Sequence, residues 1–207
     1  MWKRGTRVTL RLLERSDLPE MASWHPFEDP LYSDANWPLR SVGELRSWYD
    51  RNSKSAKRLL CAVLNEKGQL IGSITLRERE GRHSARLGIT LGADFVDQGY
   101  GTAALILFLD YYFDELGYQK LVLDVVGYNR RAIRVYEKLG FVVDREYESP
   151  VGRENKWAFL QNPAYASVRR FFRRDWLGRY WVLCYDMELT REKWSLQRKR
   201  KRATTDS

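Results

Sequence analysis

Residues 87–117 read LGITLGADFVDQGYGTAALILFLDYYFDELG. Leu87-Gly-Ile-Thr-Leu91 is apolar and short, as a strand is. A loop follows and ends in Gln98-Gly-Tyr-Gly-Thr102. Ala103 to Leu116 is an apolar run long enough for a helix, and Gly117 stops it. The stretch therefore predicts strand, glycine turn, helix. The first N–H groups of such a helix have no intrahelical partner, and the helix dipole makes that end locally positive. Gly99 and Gly101 carry no Cβ, so a ligand can approach the backbone closely. These features suit a phosphate or pyrophosphate. The spacing is neither GxGxxG nor GxxxxGK[ST], and a plain strand–turn–helix connection fits the stretch taken alone equally well.

The residues that follow add specificity. Leu121-Val-Leu-Asp-Val-Val126 predicts a second strand. Then comes Gly127-Tyr-Asn-Arg-Arg-Ala-Ile-Arg-Val-Tyr-Glu-Lys-Leu-Gly-Phe141. Asn129 is a natural N-cap, and Ala132, Val135, Tyr136 and Leu139 share one face of the helix it would start.

Gln98-Gly-Tyr-Gly-Thr-Ala103 and Asn129 to Phe141, in that order and at that spacing, resemble the acyl-CoA site of the GNAT superfamily of N-acetyltransferases. The closing Tyr185-Asp-Met-Glu-Leu-Thr-Arg-Glu-Lys-Trp194 is similar to the end of the subgroup that includes the ribosomal-protein alanine N-acetyltransferases. The resemblance is strong over 87–144, fair over 7–79 and 178–194, and absent over roughly 149–175. It implies an α+β fold with a mixed, mostly antiparallel central sheet, flanked by helices in three αβα layers. Splayed strands would form the acyl-CoA cleft.

The resemblance also implies the chemistry: acetyl transfer from acetyl-CoA to a primary amine by direct attack in a ternary complex, without a metal. The cofactor would lie against Leu91, Gln98, Gly99, Tyr100, Gly101, Thr102, Asn129 and Tyr136. Members of the superfamily often carry a basic residue just before the first glycine. Gln98 stands there, after Asp97, so backbone amides would carry more of the phosphate than side-chain cations. Thr102 adds a hydroxyl donor. Backbone N–H groups near Leu91 would polarise the thioester carbonyl. Tyr136 would protonate the departing thiolate, although a tyrosine on an apolar face is equally at home in a core. Asn129 would bond the pantetheine arm or assist Tyr136, or cap its helix alone.

The acceptor side is read from Glu28, Asp29, Asp34 and Trp37, in an acidic and aromatic loop. Glu14 to Asp34 holds six carboxylates against one arginine. Such a loop attracts an ammonium, whether a protein N-terminus, a polyamine, an aminoglycoside or another small amine. The base stays open among Glu28, Asp29, Asp34, His25, His83 and ordered water.

The remaining chain frames this site. Its 207 residues suit one domain over 1–194, with an inserted segment at about 149–175. Thr6 to Leu13 predicts a first strand, Ser16 a helix N-cap and Ser41 with Glu44 a capping box. Leu59–Leu64, Gln69–Leu76 and Ala85–Leu91 predict an antiparallel meander that feeds the glycine turn. Ser167 to Trp176 predicts a basic, aromatic helix. Net charge is +9, and Arg198 to Arg202 supplies five consecutive cations, so 195–207 predicts a solvated, disordered tail.

No apolar stretch approaches the ~18 residues a spanning helix needs. With no signal-peptide core and two cysteines inside apolar segments, Cys61 and Cys184, the expectation is a cytoplasmic protein with free thiols. A reading of another class is a non-catalytic acyl-CoA-binding or RNA- and ribosome-binding module, docking through its basic tail and Arg169–Arg174. A homodimer is a further expectation, from aromatics of the inserted segment.

Overall fold

The computed structural model describes residues 2–35, 42–80, 83–152 and 155–205. They fall into two compact units, Met1–Leu121 and Val122–Ser207.

The first unit is an antiparallel meander with helices. Strands β1 (Trp2–Arg4), β2 (Val8–Leu12), β3 (Leu59–Asn65), β4 (Leu70–Glu80) and β5 (Ser84–Leu91) pair in chain order. The short β1 has no counterpart in the sequence reading. β3 is buried along almost its whole length, which fits its continuous apolar run Leu59 to Leu64. Helices α1 (Leu18–Ala22) and α2 (Val42–Ser53) join one core cluster: Leu18, Met21 and Leu45 pack with Leu60, Ala62, Leu64 and Leu70 of the strands.

Ser16 does not cap α1. A 3-10 turn, Arg15–Asp17, precedes the helix, and the Glu14 backbone N–H donates to Asp17 Oδ2 at 2.7 Å. Arg11 Nη1 and Nη2 grip the same carboxylate at 2.6 and 2.5 Å. Asp17 is buried, so Asp17→Ala would leave Arg11 and an amide without their acceptor. The expected cost is about 3 kcal/mol, read as a lower urea midpoint at unchanged slope. A loss below about 1 kcal/mol would class the pair with ordinary surface bridges.

After β5 comes α3 (Tyr100–Asp110), which packs on β2. The helix then widens into a π turn, Tyr111–Glu115, where the Leu116 N–H reaches the Tyr111 carbonyl at 3.0 Å. Tyr112 sits in this turn: its ring stacks on Tyr118 at 4.5 Å, and its hydroxyl donates to the Lys120 carbonyl at 2.7 Å. Gly117, at φ +74°, turns the chain out of the helix.

The second unit holds most of β6 (Lys120–Val126), with α4 (Arg130–Lys138), β7 (Val142–Gly152), β8 (Phe172–Arg174), β9 (Tyr180–Thr190) and α5 (Arg191–Thr205). Strand β9 lies between β6 and β7, and β8 also pairs with it. The stretch 149–175 is integrated into this unit. Its first residues finish β7, two 3-10 turns follow over Asn155–Gln161 and Pro163–Phe171, and β8 closes it. The helix expected over 167–176 is therefore a 3-10 end, a strand and a hairpin. Trp157 is buried, donates to the Val151 carbonyl at 3.1 Å and meets Phe172 at 5.1 Å. Burial of one tryptophan and Phe171 gives the stretch a core of its own contacts, which outweighs helical periodicity.

The disordered tail expected from 195 is also corrected. The chain is helical through Thr205. Lysine and arginine are good helix formers, and the buried Trp194 anchors the first turn. Ser41 lies outside the described residues, so its capping box does too. Both cysteines are free and buried. Burial pushes the Cys61 thiol up to about 12, and burial with Asp124 and Asp186 pushes Cys184 up to about 11. Neither is a thiolate nucleophile at neutral pH.

Candidate active site

The turn that precedes α3 has the geometry of an anion cradle. Two residues flank Gln98 in left-handed conformation: Asp97 at φ +60° and Gly99 at φ +82°. Aspartate tolerates this region better than most side chains, and glycine freely. The first helical bond runs from the Ala103 N–H to the Gly99 carbonyl at 3.0 Å. The amides of Tyr100, Gly101 and Thr102 precede it, so they are the orphan donors of the helix start. A Cβ at Gly101 would meet Leu91 Cδ1 at 3.2 Å, which places the strand end beside the turn.

Three side chains hold the turn from behind. Arg7 Nη1 donates to the Gln98 carbonyl at 2.9 Å. Its guanidinium also lies over the Tyr100 ring at 4.9 Å and faces Glu66 at 3.6 Å. The Tyr100 hydroxyl donates to Glu66 Oε2 at 3.1 Å. The Glu66 carboxyl sits below its ordinary pKa, held first by its own backbone amide and then by Tyr100 and Arg7. Gln98 spends its side-chain amide locally, donating to the Asp94 carbonyl at 2.6 Å. Sequence reasoning missed Arg7 and Glu66. The signal was Gln98 itself: where the usual cation is missing, another part of the chain has room to supply one.

At the end of β5, the Gly92 N–H is spent on the Ile71 carbonyl at 3.0 Å. Amides alternate along a strand, so the Leu91 N–H points to the other edge of β5. Trp24 packs on Gly92, where a Cβ would meet its Cγ at 3.0 Å, and its indole donates to the Leu70 carbonyl at 3.1 Å. His25 Nδ1 then pairs with the Asp94 carboxylate at 2.9 Å. His83 contributes its backbone carbonyl, which accepts from Gln119 and Lys120.

Glu28 and Asp29 are exposed. Asp29 Oδ1 accepts from the Leu31 N–H at 2.9 Å and so starts the 3-10 turn Pro30–Ala35. Trp37 and the Asp34 side chain lie outside the described residues.

In the second unit, Asn129 Oδ1 accepts from the Ala132 N–H at 3.1 Å, which confirms it as the cap of α4. Ile133, Tyr136 and Leu139 form the buried face, whereas Ala132 and Val135 are half-buried. The Tyr136 ring lies 5.8 Å from that of Phe141. Burial first, and the Asp124 carboxylate second, push its phenol up to about 12. Among the described residues no three His, Cys, Asp or Glu side chains converge on a metal position.

Residues 7–142 match the family described as the acetyltransferase (GNAT) domain. This chain belongs to the GNAT acetyltransferases. The spermidine N(1)-acetyltransferase of Escherichia coli K12 is 31% identical over 144 residues, 67% of this chain and 75% of that protein. The spermidine N(1)-acetyltransferase of Vibrio cholerae is 26% identical over 169 residues, 81% of this chain and 93% of its own. The crystal structure of spermidine N-acetyltransferase from V. cholerae in complex with CoA and spermine matches the fold with a TM-score of 0.66. Identity there is 24%, over 92% of this chain and 99% of that one.

The fold is thus the α+β GNAT fold, an open, mixed and mostly antiparallel sheet with flanking helices. The protein is an N-acetyltransferase that acts on amines and takes acetyl-CoA as its co-substrate. No helix among the described residues is long and apolar enough to cross a membrane.

Proposed function

We propose that the acceptor is a small aliphatic polyamine, acetylated on a primary amine. The observation that carries this reading is the likeness to two proteins named spermidine N(1)-acetyltransferase, at 31% and 26% identity. The run of carboxylates before α2 supports it, because a flexible polycation gains from several spaced anions. A protein N-terminus is the second reading, favoured by the closing Tyr185 to Trp194, which resembles the ribosomal-protein alanine N-acetyltransferases. Docking on RNA or a ribosome through 198–202, and pairing of two copies, would accompany that reading.

The proposed reaction is direct transfer. The amides of Tyr100, Gly101 and Thr102 hold the CoA pyrophosphate, and Thr102 adds its hydroxyl. The Leu91 amide donates to the thioester oxygen as charge develops there. The neutral amine nitrogen attacks the carbonyl carbon, the C–S bond breaks, and the thiolate takes a proton from Tyr136. The nitrogen passes its surplus proton to Tyr136 as the phenol donates to sulfur, so Tyr136 ends neutral and the products are an amide and a thiol. Asn129 caps α4 and bonds the pantetheine arm.

The test is thiol release with spermidine against a peptide bearing N-terminal alanine. Spermidine is expected to be the better acceptor. In the variant Glu28→Gln, Asp29→Asn, Asp34→Asn its KM rises about tenfold or more, while the acetyl-CoA KM stays within about twofold. Asparagine at 29 keeps an oxygen for the Leu31 amide, so the turn survives. Faster turnover of the peptide would overturn the polyamine reading in favour of the second.

A further inference from the structure

The geometry points to Arg7 as the positioning residue of the phosphate turn, acting through the peptide between Gln98 and Gly99. This inference rests on the turn being the pyrophosphate site. No cis peptide occurs among the described residues, and a trans peptide points its carbonyl and its N–H in opposite directions. By donating to the Gln98 carbonyl at 2.9 Å, Arg7 turns that oxygen inward and aims the Gly99 N–H the other way. The neighbouring conformations make such a clamp necessary. Gly99 carries no Cβ to bar a second orientation of that peptide, and Asp97 already sits at φ +60°. A flipped peptide would present a carbonyl, a negative dipole, to a phosphate.

Arg7 is itself held on three sides. Gln98 accepts from it, the Tyr100 ring lies under it, and Glu66 faces it at 3.6 Å while also accepting from Tyr100. Tyr100 opens α3, so the clamp joins the helix start to the β3–β4 hairpin that carries Glu66. The guanidinium also stands where a side chain at Gly99 would go, since a Cβ there would meet Nη1 at 2.9 Å. Arg7 and Glu66 are both roughly half-exposed, at 48% and 43% of their side-chain surface. Exposed pairs of that kind contribute little to folding. The clamp's effect therefore falls on acetyl-CoA binding and leaves the stability of the fold nearly alone.

The experiment compares acetyl-CoA affinity by calorimetry in wild type, Arg7→Ala, Arg7→Lys and Glu66→Gln, with melting temperatures and kcat alongside. Arg7→Ala is expected to weaken acetyl-CoA about tenfold, the scale of one charge-assisted hydrogen bond. Its ligand-free melting temperature and its kcat at saturating acetyl-CoA should match wild type. Arg7→Lys restores part of the affinity, because an ammonium still reaches a carbonyl but does not stack as a guanidinium does. Glu66→Gln separates positioning from simple charge. It removes a negative charge near the turn, so a purely electrostatic role predicts tighter binding, whereas a clamp predicts weaker binding. Unchanged affinity in Arg7→Ala, or tighter binding in Glu66→Gln, would overturn the inference. Failure of the wild type to bind acetyl-CoA would instead remove the pyrophosphate assignment of the turn on which it rests.

Discussion

Replacing Gly101 by glutamate is expected to abolish the rise in melting temperature that acetyl-CoA gives the wild-type chain. A ligand that binds only the native state stabilises it by an amount that grows with its concentration over Kd, about 2.7 kcal/mol at a hundredfold excess. The glutamate acts twice against that binding. Its side chain fills space left open by the missing Cβ, and its carboxylate meets the phosphates beside the orphan amides. The protein itself should fold. Gly101 sits in the first turn of α3 with no left-handed backbone, and the neighbour a Cβ would meet is the end of the Leu91 side chain at 3.2 Å. A methyl group can yield by a few tenths of an ångström. Gly99 differs on both counts, with φ +82° and Arg7 Nη1 at 2.9 Å, so a substitution there would mix strain with lost binding. Gly101→Glu is the cleaner probe. A folded variant that keeps the full acetyl-CoA shift would remove the turn from the site.

This part of the molecule was legible because its determinants are local. The left-handed Gly99 adjoins the helix turn it starts, and Asn129 lies three residues from the amide it caps, so the contacts that define each feature are local. Gly99 begins α3 and Asn129 caps α4 as the spacing implies. Gln98 signals that a cation can come from elsewhere, but not that Arg7 supplies it, because the two are 91 positions apart and no periodicity links them. The same holds for 149–175. The basic and aromatic residues over 167–176 read as a helix, yet Phe171 closes against Gly127, where a Cβ would meet its ring at 2.7 Å. The glycine before Asn129 thus makes room for a segment that looked external. The basic stretch 198–202 was misjudged for a different reason. Charge density argued for solvation, while helix propensity and the buried Trp194 upstream decide the backbone. On the acceptor side the acidic residues were legible as a charge pattern. Asp29 proves to be in part a turn cap, a role its spacing from Leu31 could have suggested.

Tyr136→Phe is expected to lower turnover by about a hundredfold or more, the scale of a positioned general acid. The substitution keeps the ring against Phe141 and removes only the hydroxyl. Acetyl-CoA affinity should stay near wild type, since the phosphate contacts belong to the turn at 98–102. The raised phenol pKa shapes the rest of the expectation. At about 12, the phenol is protonated throughout an ordinary assay range and is always ready to donate. It is also a weaker acid than an ordinary thiol, whose pKa is near 8.5, so handing a proton outright to a thiolate is uphill. The transfer becomes favourable when the ammonium formed by amine attack refills the phenol as it donates. The net movement is then from nitrogen to sulfur, with Tyr136 neutral before and after. Two readouts follow. The pH–rate profile of the wild type should rise as the acceptor amine loses its proton, with no falling limb from Tyr136 below about pH 10. The Phe variant should keep the shape of that profile at a much lower height. Folding gives an independent check on the buried phenol. The unfolded state releases its proton near pH 10 and the folded state only near 12, so wild-type stability falls as pH rises through that window. The Phe variant should lack that component of the alkaline loss. Wild-type turnover in a folded Phe variant, measured where chemistry limits the rate, would make Tyr136 a core residue. Retention of turnover together with loss of the alkaline stability component would place the phenol in the core beyond doubt and leave the thiolate to be protonated by water.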